Sequence, residues 1–341
     1  MQFKFKVSKL ANFYFFISNL SEWHFACRPN YNKIWLKETG PLSKKELLAL
    51  NKFKNILKNY GFTSENINDS KYLGKFFYLN SEKECWKKLK KSVNEEEFNE
   101  IRNIFETFRP RFEKIWQKAI RSERVKIFQK EIRKNQWKSL FEDLPKIFGN
   151  KNKTFKIIII FSPLDENETA AGNATLGSIS LILELPQCKE NSWQLTYSVC
   201  VFAHEIAHIL FESRGGRKLI KKIVGNFNLS FETKNFSPSI INIVEEAVIE
   251  SFLPLGYLGQ KYSQFQLAPF LLNNLDRAYQ TLIHLKKGKV LKYRHQLNYY
   301  LIWQLYPLAI IYGRAKKKID ENYIIFVLNT IKDLIKKGGL S

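Results

Sequence analysis

Apolar residues recur every three or four positions through much of the N-terminal part of the chain, which is typical of amphipathic helices. A capping box, formed by Ser43 and by Glu46 three residues later, predicts the start of one such helix. The stretch from Asn94 to Ile120 has the same spacing, and Pro110 is expected to kink or split it. A further amphipathic stretch extends from Ser122 to Phe148, and the aromatic N-terminus predicts a short strand and a helix.

The pattern changes after a polar break at residues 149–153. The β-branched run Phe155–Phe161 predicts a strand that is buried on both faces. After a polar loop, Asp165–Gly172, apolar and polar residues alternate along Leu176–Leu185 and stop at Pro186. This alternation predicts a second strand with one apolar face. We expect it at an open edge of the sheet, where it would line the functional cleft.

Two later helices are predicted from apolar spacing and from signals at their ends. Residues Asn191–Ser213 are apolar almost all round the helix, and a glycine pair that begins at Gly215 ends the pattern. Ser237 as N-cap and Pro238 in the first turn predict the start of the second helix. The remaining C-terminal residues are helical in pattern and rich in Tyr and Lys.

These elements predict an α+β protein with two domains. Residues 1–150 form a mainly helical N-terminal domain of unknown role, and residues 151–341 form a second domain with a small mixed sheet and several helices. A length of 341 residues gives enough chain for both hydrophobic cores. A composition with 45% hydrophobic and 15% aromatic residues excludes an intrinsically disordered chain.

The helix Asn191–Ser213 contains the motif HEIAH, an HExxH sequence. Its histidines, His204 and His208, stack on one helix face, so both imidazoles can reach one metal ion. Glu205 lies about 100° round the helix from His204, where its carboxylate can accept a proton from a water molecule that the metal activates. Burying these three groups on an apolar helix is unfavourable unless a metal ion or another partner compensates.

Two histidines leave a catalytic zinc ion one protein ligand short. The metzincin pattern HExxHxxGxxH is absent, since Phe211 and Arg214 stand where its glycine and third histidine would be. A later acidic helix offers the missing ligand in Glu246. Glu250 lies on the same helix face and is expected to accept an N–H from a ligating histidine. Glu245 as the ligand in place of Glu246 is an open alternative.

HEIAH followed by EAVIE resembles the gluzincin metallopeptidases, the thermolysin-like clan, whose third-ligand helix reads Glu-Ala-x-x-Asp. The resemblance implies Zn²⁺ as cofactor, with His204, His208 and Glu246 as ligands and Glu205 as general base. Glu250 stands where the family often has aspartate. The resemblance also implies a zincin-like catalytic domain, with an active-site helix and a third-ligand helix, that hydrolyses a peptide or protein substrate.

The resemblance covers about residues 155–253. Within this range Asn173-Ala174 is similar to the Asn-Ala of the strand along which gluzincins bind an extended substrate, so Asn173 and Ala174 are the expected substrate-binding residues. Peptidases of this clan also use a His or Tyr to stabilise the oxyanion. His295 and Tyr299, which are spaced i,i+4, are the candidates for this catalytic role.

The chain carries 55 Lys and Arg residues against 32 Asp and Glu residues, which gives a net charge of +23. Only 12 of these basic residues are arginines, whereas dedicated nucleic-acid surfaces favour arginine, so nucleic acid is a possible but not a favoured partner. Three alternatives stay open. These alternatives to a simple zinc peptidase are a basic zinc protease acting on nucleic-acid-bound proteins, a non-catalytic zinc-containing binding or regulatory protein, and a zymogen whose N-terminal helices cover the cleft.

The cysteines and the apolar segments predict a cytoplasmic protein. Cys27, Cys85, Cys188 and Cys200 are scattered without a CxxC pair, which favours a reducing compartment. The aromatic N-terminus has no small-residue cleavage site of the kind that follows a signal peptide. The most apolar C-terminal run, Tyr299–Tyr312, is too short to span a bilayer, so no transmembrane segment is expected.

Overall fold

The structure is a computed structural model of the chain. It describes residues 1–24, 27–60, 73–149, 154–163, 171–173, 180–227, 240–288 and 294–336. These residues combine many helices with one small mixed sheet, so the predicted α+β class is confirmed.

Helices occupy most of the described chain, and three of its strands lie near the middle of the sequence. The N-terminal elements are β1 (Gln2–Val7), α1 (Lys9–Leu20), α2 (Pro29–Thr39), α3 (Lys44–Asn59), α4 (Gly74–Leu79), α5 (Glu82–Leu89), α6 (Glu95–Arg121), α7 (Arg124–Glu131) and α8 (Asn135–Phe148). The later elements are β2 (Thr154–Phe161), β3 (Ala171–Asn173), β4 (Ser180–Leu185), α9 (Trp193–Ser213), α10 (Gly216–Asn226), α11 (Ile240–Glu250), α12 (Tyr257–Tyr262), α13 (Ala268–Lys286), α14 (Arg294–Ala315) and α15 (Glu321–Lys336).

The chain divides into two compact units that are interleaved along the sequence. The second unit, Phe3–Ile127 and Phe155–Lys189, holds nearly all of the sheet. The first unit holds α8 to α15 and comprises the ranges Met1–Gln2, Phe128–Thr154 and Glu190–Ser341. This division differs from the predicted boundary between residues 150 and 151, because the strands that follow residue 150 pack with the N-terminal helices.

The sheet of the second unit has the strand order β1-β2-β4-β3. β2 and β4 are parallel, with Lys156–Phe161 opposite Ser180–Leu185, and β3 is antiparallel to β4. The amide of Asn12 in α1 donates to the carbonyl of Ile159 at 3.0 Å and accepts the N–H of Phe161 at 2.7 Å. Asn12 therefore bonds to β2 as a neighbouring strand would, which ties α1 to the sheet.

β4 is an internal strand, so the prediction that Leu176–Leu185 lies at the sheet edge was wrong. All residues of its described part, Ser180–Leu185, are buried. The carboxylate of Glu184 accepts a hydrogen bond from Tyr31 and lies 3.6 Å from the guanidinium of Arg28. The alternation along this strand therefore does not mark a face turned to solvent, because its charged residue Glu184 is buried with specific partners.

The strand at the β4 end of the sheet is β3, Ala171–Asn173. The sequence placed residues 165–172 in a polar loop, but Ala171 and Gly172 belong to this strand, while residues 165–170 lie outside the described chain. β3 pairs with Ile182–Glu184 of β4. An edge strand therefore exists beside β4, and Asn173 is its last residue.

A local signal begins one helix of the second unit as predicted. The capping box at α3 is confirmed, because Ser43 accepts the N–H of Glu46 and the Glu46 carboxylate accepts the N–H of Ser43. α6 continues through Pro110, so this stretch is one helix and is not split. Stacked aromatic rings pack the helices together. For example, the ring centroids of Tyr14 in α1 and Phe77 in α4 are 4.6 Å apart.

In the first unit, α8, α10 and α11 pack against α9. The amphipathic stretch Ser122–Phe148 forms two helices, α7 and α8. The predicted N-cap Ser237 and first-turn Pro238 lie outside the described residues, and α11 is described from Ile240 onwards. The expected helix in this region is therefore confirmed, whereas its start stays a prediction.

Three further expectations can be compared with the structure. The N-terminal strand and helix are confirmed by β1 and α1. The four cysteines are free thiols. Among the helices of the described chain, none has both the length and the apolar character that crossing a membrane would require.

A buried carboxylate, Asp143, joins α8 to the rest of the first unit. It is 3% exposed and accepts a hydrogen bond from the Tyr262 hydroxyl at 2.5 Å, and the ammonium groups of Lys146 and Lys316 lie 2.7 and 3.0 Å away. Burial opposes the charged form, but these three partners outweigh it and lower the pKa of Asp143 to about 2. Since α8 packs against α9, this cluster supports the helix that carries HEIAH.

We expect Asp143→Asn to lower the free energy of unfolding at pH 7 by about 1–3 kcal/mol, because its three partners lose a charged acceptor. The depressed pKa stabilises the fold fully above about pH 4, and this contribution is lost as the pH falls toward 2. The free energies of unfolding of wild type and variant, measured with urea, should therefore approach each other as the pH falls from 4 to 2. Glu142→Gln, at the exposed neighbouring position, is the control, and an equal loss of stability in both variants would contradict the assignment.

Candidate metal centre

The HEIAH motif lies in the second half of α9. The helix begins where the Ser192 side chain accepts the N–H of Leu195 at 3.2 Å, and it gives way to Gly215, whose φ of 84° lies in the left-handed region. Apolar residues on nearly every side bury the helix. His204 and His208 are one turn apart on a single face, with their ring centroids 4.8 Å apart.

α11 packs against α9 and brings Glu246 to the two imidazoles. The Nε2 atoms of His204 and His208 are 3.1 Å apart. Oε2 of Glu246 lies 3.7 Å from the first Nε2 and 3.6 Å from the second. Ligands at 2.0–2.2 Å from a tetrahedral ion lie about 3.3–3.6 Å from one another, so these three atoms have nearly the spacing of one face of a metal tetrahedron.

The other nitrogen of each ring faces an acceptor. Nδ1 of His204 is 3.1 Å from the carbonyl oxygen of Leu253, and Nδ1 of His208 is 2.9 Å from Oε1 of Glu245. A neutral imidazole that donates from Nδ1 presents its lone pair at Nε2. Both rings are therefore held so that their Nε2 atoms can reach the same point.

The two adjacent glutamates of α11 have different partners. Glu246 faces the Nε2 atoms, whereas Glu245 lies behind His208 with its other oxygen 2.8 Å from Nε of Arg217. Of the two ligands that the sequence left open, the geometry favours Glu246. Glu250 was expected to accept the N–H of a ligating histidine, but Glu245 and a backbone carbonyl take that position at the two rings.

The close approach of the imidazoles gives them opposite protonation states. Burial and the charge of His208 lower the pKa of His204 to about 4. Burial also opposes charge on His208, but Glu246 and Glu245 outweigh it and raise the pKa of His208 well above its usual value. Without a metal ion, these opposite directions favour a proton on His208 over one on His204, and the two Nε2 atoms lie within hydrogen-bond distance of each other.

Glu205 follows His204 on α9 and is only 7% exposed. Burial raises the pKa of Glu205 to about 8, while the charge of His208 opposes this shift and Glu246 adds to it. The carboxyl therefore exchanges its proton near neutral pH, which suits a general base. A cation held by the three ligand atoms would favour its ionised form.

Protein-family models, curated proteins and solved structures were each compared with this chain. None of them matches. The resemblance to gluzincins therefore rests on the HEIAH and EAVIE segments, and the candidate site rests on the side-chain geometry of α9 and α11.

The other predicted site residues lie on other elements. Asn173 ends β3 in the second unit, whereas α9 belongs to the first, and Ala174 lies outside the described residues. Tyr299 in α14 accepts a hydrogen bond from Arg277 of α13 at 2.6 Å. His295 lies in the first turn of α14, and its side chain is outside the described part of the chain. The substrate-binding and oxyanion roles stay predictions.

Sequence reasoning missed two contributors to the centre, Leu253 and Arg217. Leu253 contributes a backbone carbonyl, which no side-chain pattern reveals. Arg217 reaches Glu245 from α10, far away in the sequence. The adjacency of Glu245 and Glu246 was a signal in the sequence. Successive residues of a helix point about 100° apart, so only one of the two glutamates faces the ion, and the other, when buried, needs a different partner.

We expect His204→Ala and Glu246→Gln to weaken zinc binding by more than the roughly 10–100-fold typical of residues behind the ligands. Glu245→Gln should lie within that range and keep one zinc ion per chain, because it removes a contact behind His208 only. Glu142→Gln, at an exposed position on α8, is the control and should bind as wild type does. Competition with a chromophoric chelator measures these affinities. Tight binding by Glu246→Gln together with loss in Glu245→Gln would make Glu245 the ligand.

Zinc binding at pH 7 is expected to release about two protons, one from His208 and one from Glu205. The pKa of His208 is raised well above its usual value and that of Glu205 is about 8, so both groups hold a proton until the ion repels it. Affinity should therefore rise with pH. Glu205→Gln should reduce the release to about one proton. Titration calorimetry in buffers of different ionisation enthalpy counts the protons, and equal counts for both proteins would contradict the part assigned to Glu205.

Proposed function

We propose that the protein is a zinc-dependent peptidase in which Glu205 is the general base. The observation that carries this proposal is the triangle of Nε2 of His204, Nε2 of His208 and Oε2 of Glu246, with sides of 3.1, 3.6 and 3.7 Å. A buried carboxyl directly follows the first ligand in the chain, which is the position of the general base in the HExxH arrangement of metalloproteases. The resemblance to the gluzincin motifs supports the same assignment.

The donor set favours a catalytic zinc ion over a structural one. Catalytic sites combine three protein ligands, such as two imidazoles and a carboxylate, with an open fourth position, whereas structural sites have four protein ligands and often thiolates. The cluster found in the described chain consists of His204, His208 and Glu246, and no cysteine belongs to it. When bound, zinc would supply the Lewis acidity that polarises a carbonyl and lowers the pKa of water.

The residues of the chain account for the movement of the proton. Ionised Glu205 accepts a proton from water while the water oxygen forms a bond to the carbonyl carbon of the substrate. The same carboxyl then donates this proton to the amide nitrogen as the C–N bond breaks, which yields a carboxyl and an amine product. Leu253 and Glu245 meanwhile hold the two imidazoles in orientation through their Nδ1 atoms.

The proposed substrate is a peptide or protein, since HExxH with a later glutamate is an arrangement used for peptide hydrolysis. We place the enzyme in a reducing compartment such as the cytoplasm, because its four cysteines are free thiols. Neither assignment depends on the net charge of the chain.

Glu205→Gln keeps the size of the side chain but removes the proton acceptor. We expect it to lower peptidase activity by roughly 10²–10⁴-fold, while zinc content stays at one per chain. In the metal-free chain the unfolded state ionises this carboxyl from about pH 4.5, whereas the fold keeps it protonated up to about pH 8, so the stability of wild type falls as the pH rises across this range. The variant lacks this loss, so its melting temperature relative to wild type should be higher at pH 7 and above than at pH 4.

The measurements are zinc content, melting temperature and hydrolysis of a mixed peptide library. Glu142→Gln, at an exposed position on α8 outside the metal centre, is the control and should retain activity. Equal hydrolysis by wild type and Glu205→Gln would remove the proposed mechanism. A wild type that binds zinc but cleaves no peptide would instead support a zymogen or a non-catalytic zinc protein.

A further inference from the structure

Glu245 contacts two groups of opposite kinds at the same time. One oxygen lies 2.9 Å from Nδ1 of His208, and the other lies 2.8 Å from Nε of Arg217. The Glu245 side chain is only 9% exposed, so water can do little to replace either partner. One oxygen is within hydrogen-bond distance of His208 and the other forms an ion pair with Arg217, so the carboxylate that orients the imidazole is held between the two groups.

Arg217 is itself held in place. Its guanidinium donates to the side-chain oxygen of Asn242, one turn before Glu245 on α11, and its backbone N–H donates to Glu212 at 3.3 Å. Its side chain is 28% exposed, so it lies at the border between the buried cluster and solvent. The guanidinium presents several donors in a fixed plane, which a lysine ammonium cannot do. It can therefore contact Asn242 and Glu245 together.

The ion pair is more than a surface contact. An exposed Arg–Glu pair contributes little, because solvent screens it and both side chains lose freedom. Here the carboxylate is buried against an imidazole, and Arg217 is the cation on its far side. Removing the guanidinium would free the second oxygen, so the carboxylate could rotate away from His208.

We propose that Arg217 is a positioning residue of the metal centre: acting through Glu245, it fixes the orientation of His208 and thereby strengthens metal binding without touching the metal ion. This inference rests on the proposed metal centre and adds to it a residue from a third helix, α10. The chain of contacts is Asn242 to Arg217, Arg217 to Glu245, and Glu245 to His208. It predicts that the effect of Arg217 exists only while Glu245 is a carboxylate.

A double-mutant cycle with cobalt(II) tests this dependence. The full metal-free chain is titrated with cobalt, whose visible absorption reports both affinity and ligand geometry, for wild type, Arg217→Gln, Glu245→Gln and the double variant. We expect Arg217→Gln to weaken cobalt binding by about 10-fold and to change the visible spectrum. In the Glu245→Gln background the same change should have almost no further effect, since the two residues act as one unit.

Two further variants separate positioning from a merely structural role. Lys218→Gln removes one positive charge from an exposed neighbouring position on α10 and should bind cobalt as wild type does. Arg217→Lys keeps the charge but not the fixed pair of donors, so it should recover part of the affinity and of the spectrum. Circular dichroism of each metal-free variant checks the fold. If Arg217→Gln does not fold, Arg217→Lys replaces it in the double-mutant cycle with Glu245→Gln.

Additive losses in the double variant, or wild-type affinity in Arg217→Gln, would overturn the proposal while the metal centre stands. A wild type without saturable cobalt binding would overturn both. Coupled losses in a chain that hydrolyses no peptide would support the role of Arg217 and reject only the peptidase.

Discussion

Two imidazole nitrogens lie 3.1 Å apart on a buried helix, and the arrangement of the first unit around α9 follows from this approach. Two lone pairs at this distance repel each other, so a proton or a metal ion has to lie between the rings or beside both of them. Neither the protonated pair nor the metal-bound pair of imidazoles is favourable in apolar surroundings unless other charges and acceptors lie close by. α11 and the carbonyl of Leu253 provide them.

The neighbouring glutamates of α11 meet this demand from two directions. Successive helical residues point about 100° apart, so Glu246 can approach the Nε2 side of His208 while Glu245 approaches its Nδ1 side. A residue one turn further on, such as Glu250, repeats the direction of Glu246 on the helix. Helix geometry thus favours an adjacent pair over an i,i+4 pair when a ligand and its support come from the same helix.

The parts of this molecule that could be predicted from sequence are those set by local rules. The capping box at Ser43, the helix α9 and the HExxH spacing each depend on residues within about one or two turns of one another, and the structure has all three. The order of strands in the sheet depends on tertiary packing, which the local pattern does not reveal. The pattern predicts β4 at an edge, whereas β4 is internal and its Glu184 is buried with Tyr31.

The same limit applies inside the site. The sequence pattern identifies the helix that carries the third ligand but does not show whether the ligand is Glu245 or Glu246. Only the packing of α9, α10 and α11 distinguishes them, through His208 on one side and Arg217 on the other. Leu253 was beyond any such reasoning, because its contribution is a backbone carbonyl.

The charges of the centre balance in both of its proposed states. Without metal, the imidazolium of His208 and the guanidinium of Arg217 offset the carboxylates of Glu245 and Glu246, while Glu205 holds its proton. In the proposed zinc-bound state, His208 would be neutral and Glu205 ionised, so that three carboxylates would face the ion and Arg217. The exchange of one divalent ion for two protons leaves the buried charge unchanged, which avoids the large free-energy cost of an uncompensated charge in apolar surroundings. On this account the residue that becomes the base is ionised by the same event that binds the metal, so proton acceptor and Lewis acid arrive together.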